Sequence, residues 1–121
     1  PPTWALLIAE SMRASSAPVV AVSPIINGDA VKGPAGKMMA ELGMPVTAAS
    51  VAAYYGDLLD GFVIDHRDAA HAQSLRDSGL AVLVTPTMMH TLDDRRVLAR
   101  KVVDFCLSLT KAINDTPVSA L

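Results

Sequence analysis

Three short apolar runs constrain this chain more than any other feature: PVVAV (Pro18–Val22), GFVID (Gly61–Asp65) and GLAVLV (Gly79–Val84). Each is continuous rather than alternating, the pattern of a strand buried on both faces, as in a parallel sheet. Parallel neighbours need long crossover connections, and helical patterns fill the spaces between the runs. WALLIAESMRAS precedes the first run, PAGKMMAELG and TAASVAAYYG separate it from the second, and RDAAHAQSLRDSG joins the second to the third. Gly43, Gly56 and Gly79 stand where these helices should stop. After the third run, Thr91 with Asp94 forms a capping-box-like start. Leu98, Val102, Phe105, Leu109 and Ile113 then make one apolar stripe, with Met38 and Leu42 expected to pack in the core further up the chain. The expected class is α/β. Three strands make a small sheet for that class and the chain opens directly in a helix, so it reads as a minimal domain or as the C-terminal half of a larger one.

The composition excludes several other classes. With 51% hydrophobic residues and a formal net charge of -2, the chain is neither a disordered tail nor a basic nucleic-acid binder. No apolar run approaches the roughly 18 residues of a membrane span. The best, WALLIA, lacks the basic flank and cleavage site of a signal peptide. The single cysteine, Cys106, allows no internal disulfide and fits a reducing cytoplasm; its place on the last helix suits a small buried hydrophobe.

Ligands of open parallel sheets bind beyond the C-terminal ends of the strands. Here those positions are Ser23, Asp65 to Asp68, and Thr85 to Thr87. The loop after the first run offers most: the hydroxyl of Ser23, Pro24, an Asn27–Gly28 turn, then Lys32, Gly33 and a helix start at Pro34, with Lys37 in its first turn. Cations are unfavourable at a helix N-terminus. A phosphate or carboxylate held there by backbone N–H groups and both ammonium groups would offset that penalty; two solvated lysines are the equally simple alternative. The loop matches neither the P-loop nor the GxGxxG pattern. Asp57 and Asp60, in YYGDLLDG, could bind a metal or polarise a hydroxyl, or could simply shape a helix exit and turn. His66, His71 and His90 are not at metal-ligand spacing and read as surface residues, and no metal site is expected from these residues.

SPIINGDAVKGPAGKMMAELG, YGDLLDGFVID and LVTPTMM, in that order, resemble the C-terminal half of the CofD family, over roughly Ala17 to Leu107. These are 2-phospho-L-lactate or phosphoenolpyruvate transferases of coenzyme F-420 biosynthesis. The resemblance implies a Rossmann-like three-layer fold with all 121 residues forming one segment of a larger domain. It implies an intact enzyme that moves a phospholactyl or phosphoenolpyruvyl group from a guanosine diphosphate-linked donor to the ribityl hydroxyl of a deazaflavin, releasing GMP. It further implies Mg²⁺, with ligands outside this chain. The residues carried over are Ser23, Pro24, Gly28, Lys32, Gly33, Pro34 and Lys37 of the SP loop, with Asp57 and Asp60. Asn27, where the family usually has glycine, joins the phosphate or nucleotide candidates, and Thr85 and Thr87, from the strand ends, join Asp57 and Asp60 as substrate-site candidates. The sequence assigns no catalytic residue. Tyr54 stands at a usual histidine and Pro86 at a usual aspartate. The rival reading is a non-catalytic nucleotide- or anion-binding, or purely structural, α/β module. Either way a homo-oligomer is expected, with the first helix at the contact.

Overall fold

The computed structural model describes residues 3–30 and 33–114, the side chains of 111–114 excepted. The three apolar runs form one parallel sheet. Its strands are β1 (Val20–Val22), β4 (Gly61–Ile64) and β5 (Ala81–Val84), in the spatial order β1-β4-β5. Phe62 aligns with Ala21 on one side and Val82 on the other, while Val63 aligns with Val22 and Leu83. The central strand β4 is buried along its whole length, which is why its sequence does not alternate.

The helices divide between the two faces. Phe62, Ile64 and Val82 meet Met39 of α2 (Ala35–Glu41), Ala48, Val51 and Ala52 of α3 (Ala48–Tyr55), and Leu75 of α4 (Ala72–Asp77). The opposite face, carrying Gly61 and Val63, is covered by α5 (Leu92–Asn114). The start of α5 is the anticipated capping box. Thr91 Oγ1 accepts the Asp94 N–H at 3.0 Å, and Asp94 Oδ2 accepts the N–H groups of His90 and Thr91 at 2.9 and 3.0 Å. Those bonds hold the Asp94 carboxyl below its ordinary pKa. Leu98 is buried and Val102, Phe105 and Leu109 half-buried, as the stripe requires; the side chain of Ile113 lies outside the described residues.

Four expectations need correction. A second sheet is present, the antiparallel hairpin of β2 (Ile25–Ile26) and β3 (Asp29–Ala30). Its two-residue turn, Asn27 at φ 50° and Gly28 at φ 86°, has the positive angles that a type I′ turn demands and that an Asn-Gly pair supplies. Pro34 is the N-cap of α2 rather than its first residue. Met39, not Met38, faces the core from α2; Met38 and Leu42 are 54% and 70% exposed. The segment after β4 is a 3-10 helix, His66–His71, followed by the short α4, with a break in helical geometry at Asp68.

The first helix, α1 (Thr3–Ala14), buries none of its residues. Trp4, Leu6, Leu7 and Ile8 are all more than half exposed, and Arg13 reaches Asp57 at 3.6 Å across the surface. Among the described residues no helix is long and apolar enough to cross a membrane.

α5 can approach β4 closely because position 61 has no side chain. A Cβ there would stand 2.8 Å from Phe105 Cε2 and 2.9 Å from Leu109 Cδ1. Gly61→Ala should therefore cost on the order of 1–3 kcal/mol, seen as a lower urea midpoint at unchanged slope. An unchanged midpoint would mean that α5 is free to move off the sheet.

Candidate functional site

Among the described residues, the five buried polar side chains, Ser23, Asp65, Asp68, Thr85 and Thr87, all follow the C-terminal ends of the three strands. Ser23 continues β1, its N–H bonded to Val63 O at 2.8 Å, and its hydroxyl closes a local turn onto the N–H and C=O of Ile25. Asp65 ends β4 and is 1% exposed. One of its oxygens accepts the Thr87 N–H at 2.8 Å and the Thr87 hydroxyl at 3.1 Å, while the other accepts the Arg67 N–H at 3.0 Å. Burial alone would raise the pKa of this carboxyl. The bonds from Thr87 and Arg67, helped by His66 with Nδ1 at 3.4 Å, reverse that and hold it below the ordinary value. Asp68 offers both oxygens, each at 3.2 Å, to the N–H of Asn27, so the turn of the hairpin is tied to the segment after β4.

These ties shape a cleft of about 500 Å³ between Ser23 and Pro24 on one wall and Thr87, Met89, Arg95 and Leu98 on the other. Arg95 is its one charged wall residue among the described residues. One layer away, Lys101 Nζ donates to Thr85 Oγ1 at 3.2 Å. At the opposite edge of the sheet a cavity of about 490 Å³ lies between α3 and α4, with Asp57 as its sole charged wall residue among those described.

Of the residues singled out in the sequence, Ser23, Pro24 and Thr87 thus share one cleft. Asn27 and Gly28 form the adjoining hairpin turn, and Gly33, at φ 74°, leads into α2. Thr85 is buried beside them, its hydroxyl taken by Lys101. Lys37 does not turn over the helix start: its side chain is 80% exposed and leans toward Glu41 at 3.9 Å. Lys32 lies outside the described residues. Asp57 and Asp60 are not part of this group. Asp60 accepts the Val19 N–H at 2.7 Å where the chain enters β1, at the far edge of the sheet, and Asp57 faces Arg13. The three histidines are exposed, and Cys106 is half-buried.

Two members of the site were missed, Arg95 and Lys101. Arg95 stands three residues ahead of Leu98 and so prolongs the apolar stripe of α5 toward the strand ends, a placement that helical spacing would have revealed. The residues present do not fit a divalent metal. No cluster of three or more metal-ligating side chains exists among the described residues, and the oxygens of Asp65 and Asp68 are turned onto N–H donors.

The chain is similar to 2-phospho-L-lactate transferases. It is 43% identical to that of Methanocaldococcus jannaschii over 91 residues, covering 75% of this chain and 28% of the relative. The transferase of Methanococcoides burtonii is 41% identical over 85 residues, 70% of this chain and 28% of that protein. A phosphoenolpyruvate transferase of Streptomyces griseus is 36% identical over 98 residues, 80% of this chain and 31% of that protein. No family model matches. The resemblance to the CofD family is borne out over these residues, and the chain spans about 28% of the length of the first of these relatives.

The Asp65 junction makes a testable demand on pH. Its folded-state pKa lies below the ordinary value, so its contribution is complete above the unfolded carboxylate pKa and lost as pH falls through the folded one. Asp65→Asn puts an amide donor where N–H groups already point. It should lower stability at pH 7 by about 1–3 kcal/mol, with the gap to wild type narrowing below roughly pH 4. Melting temperatures of both proteins between pH 7 and 3 check this; a constant gap would show that the charge of Asp65 is not what matters.

Proposed function

We propose that this chain supplies the C-terminal part of a phosphoryl-linked transferase site of the 2-phospho-L-lactate or phosphoenolpyruvate type. The observation that carries the reading is the cleft at the strand ends, bounded by the SP and TPT stretches that first suggested the family. Identity of about 40% to transferases of that name supports it. In the proposed reaction the ribityl hydroxyl of a deazaflavin attacks the phosphorus of the three-carbon acid phosphate in a guanosine diphosphate-linked donor. The new P–O bond replaces the one to GMP, which leaves, and the hydroxyl proton is lost to solvent or a base. The attacking oxygen belongs to the acceptor, so no nucleophilic side chain is needed. What the protein must provide is a fixed arrangement of donors where charge accumulates. The ligands of the divalent cation belong, in this proposal, to parts of a family-length enzyme that this chain does not include. A cytoplasmic setting goes with the same proposal.

A second reading is favoured by one observation. The apolar residues of α1 are uncovered, and Tyr54 and Tyr55 continue that surface along β1. Such a face supports a structural α/β module that pairs with a second copy of itself.

Titration calorimetry with GDP, GMP and the deazaflavin separates the two. The transferase reading expects GDP to bind with measurable heat, and an absence of heat with all three would overturn it. Light scattering at micromolar concentration tests self-association, with a dimer expected and a monomer overturning it. Trp4→Glu should dissociate the dimer without unfolding the chain, because Trp4 is 65% exposed in the single copy.

A further inference from the structure

The basic group that the described residues bring to this cleft is Arg95, whereas Lys37 leans away toward Glu41. Resting on the transferase reading, we infer that Arg95 is the anion-holding residue of the site. Its guanidinium would fork the phosphoryl oxygens of an organic phosphate, whose carbon portion lies against Met89 and Leu98.

The placement follows from the direction of α5. Its capped start lies beside the TPT loop, and Phe105 and Leu109, about four and five turns on, meet Gly61 at the beginning of β4. The helix therefore runs from the ligand edge of the sheet toward the opposite edge. The residue one turn ahead of buried Leu98 is then delivered to the mouth of the cleft.

The charge balance points the same way. The buried carboxylates at this edge, and the one that caps α5, are committed to N–H or O–H donors: Asp65 to Thr87 and Arg67, Asp68 to Asn27, and Asp94 to His90 and Thr91. Asp93, beside Arg95 in the first turn of α5, is exposed and forms no ion pair within 4.0 Å among the described residues. Arg95 has no ion-pair partner within 4.0 Å among the described residues, whereas Lys37 leans on Glu41 and Arg13 on Asp57. Lys101 adds a second positive charge behind the loop, on Thr85. The buried hydroxyls of Ser23 and Thr87 are already engaged within the protein, so among the described residues the cleft presents one charged side chain, Arg95, to a ligand. A planar guanidinium matches the bidentate geometry of phosphate, and a lysine at the same place would not. A volume of about 500 Å³ accommodates a phosphoryl group with a short carbon chain.

The test uses the 121-residue chain and three probes: inorganic pyrophosphate, phosphoenolpyruvate and GDP. Affinities are measured by calorimetry, and amide shifts by nuclear magnetic resonance locate the site. Arg95→Met should weaken pyrophosphate at least tenfold while leaving the circular dichroism spectrum and melting temperature unchanged, since Arg95 is exposed. Arg95→Lys should recover part of the loss. In wild type, the amides of Thr87 to Arg95 should shift. Equal binding by wild type and Arg95→Met, or shifts confined to residues 33–37, would overturn the assignment even if GDP binds, and would leave the transferase reading standing. Failure of wild type to bind any of the three probes would overturn it too. Arg95-dependent pyrophosphate binding without GDP binding would instead support the anion site and count against the transferase reading.

Discussion

Asp65 is a carboxylate taken almost wholly out of water, and the ligand edge of the sheet is arranged around that expense. An isolated buried charge is far too costly to keep, so its oxygens must be saturated by donors. Those donors are the N–H and hydroxyl of Thr87 and the N–H of Arg67. Satisfying one acid thus fixes the path of the chain after β5 and starts the 3-10 helix after β4. Asp68, three residues later, does the same for the hairpin by holding Asn27. Two acids therefore determine where three loops go, and the cleft is what those loops enclose.

The same bonds set the charge that the cleft presents. Carboxylates that accept several N–H bonds are acids with little left to offer a ligand or a metal. Their negative charge is spread into the backbone, while Arg95 lines the cleft with no ion-pair partner within 4.0 Å among the described residues. The one charged residue that lines the cleft among those described is thus a cation, despite the formal net charge of -2 for the chain. Overall charge governs solubility and association, whereas local pairing governs what a cleft can bind.

Much of the architecture was legible from residue order. Strands buried on both faces leave continuous apolar runs, and β1, β4 and β5 lie within the runs that predicted them. The capping box of α5 was equally clear, because its geometry depends only on residues three apart. The hairpin was overlooked although Asn27–Gly28 is a strong turn signal, since its strands are only two residues each and carry almost no pattern of their own. α2 was misjudged in detail: with only seven residues, Met38 and Met39 are both plausible core positions, and the neighbouring α3 decides which turns inward.

For the site, chain order and residue chemistry determined the edge of the sheet, the SP and TPT stretches, and the family whose members share them. The tertiary structure decided which polar groups remain available there. It moved Lys37 out of the cleft and onto Glu41, set Asp57 and Asp60 at the opposite edge, engaged the hydroxyls of Ser23, Thr85 and Thr87 within the protein, and brought in Arg95 from a helix seventy-two positions beyond Ser23. The reason is one of range. Strand burial, capping and turn geometry are written in residues a few positions apart, whereas the pairing of a charge depends on whatever the fold places beside it.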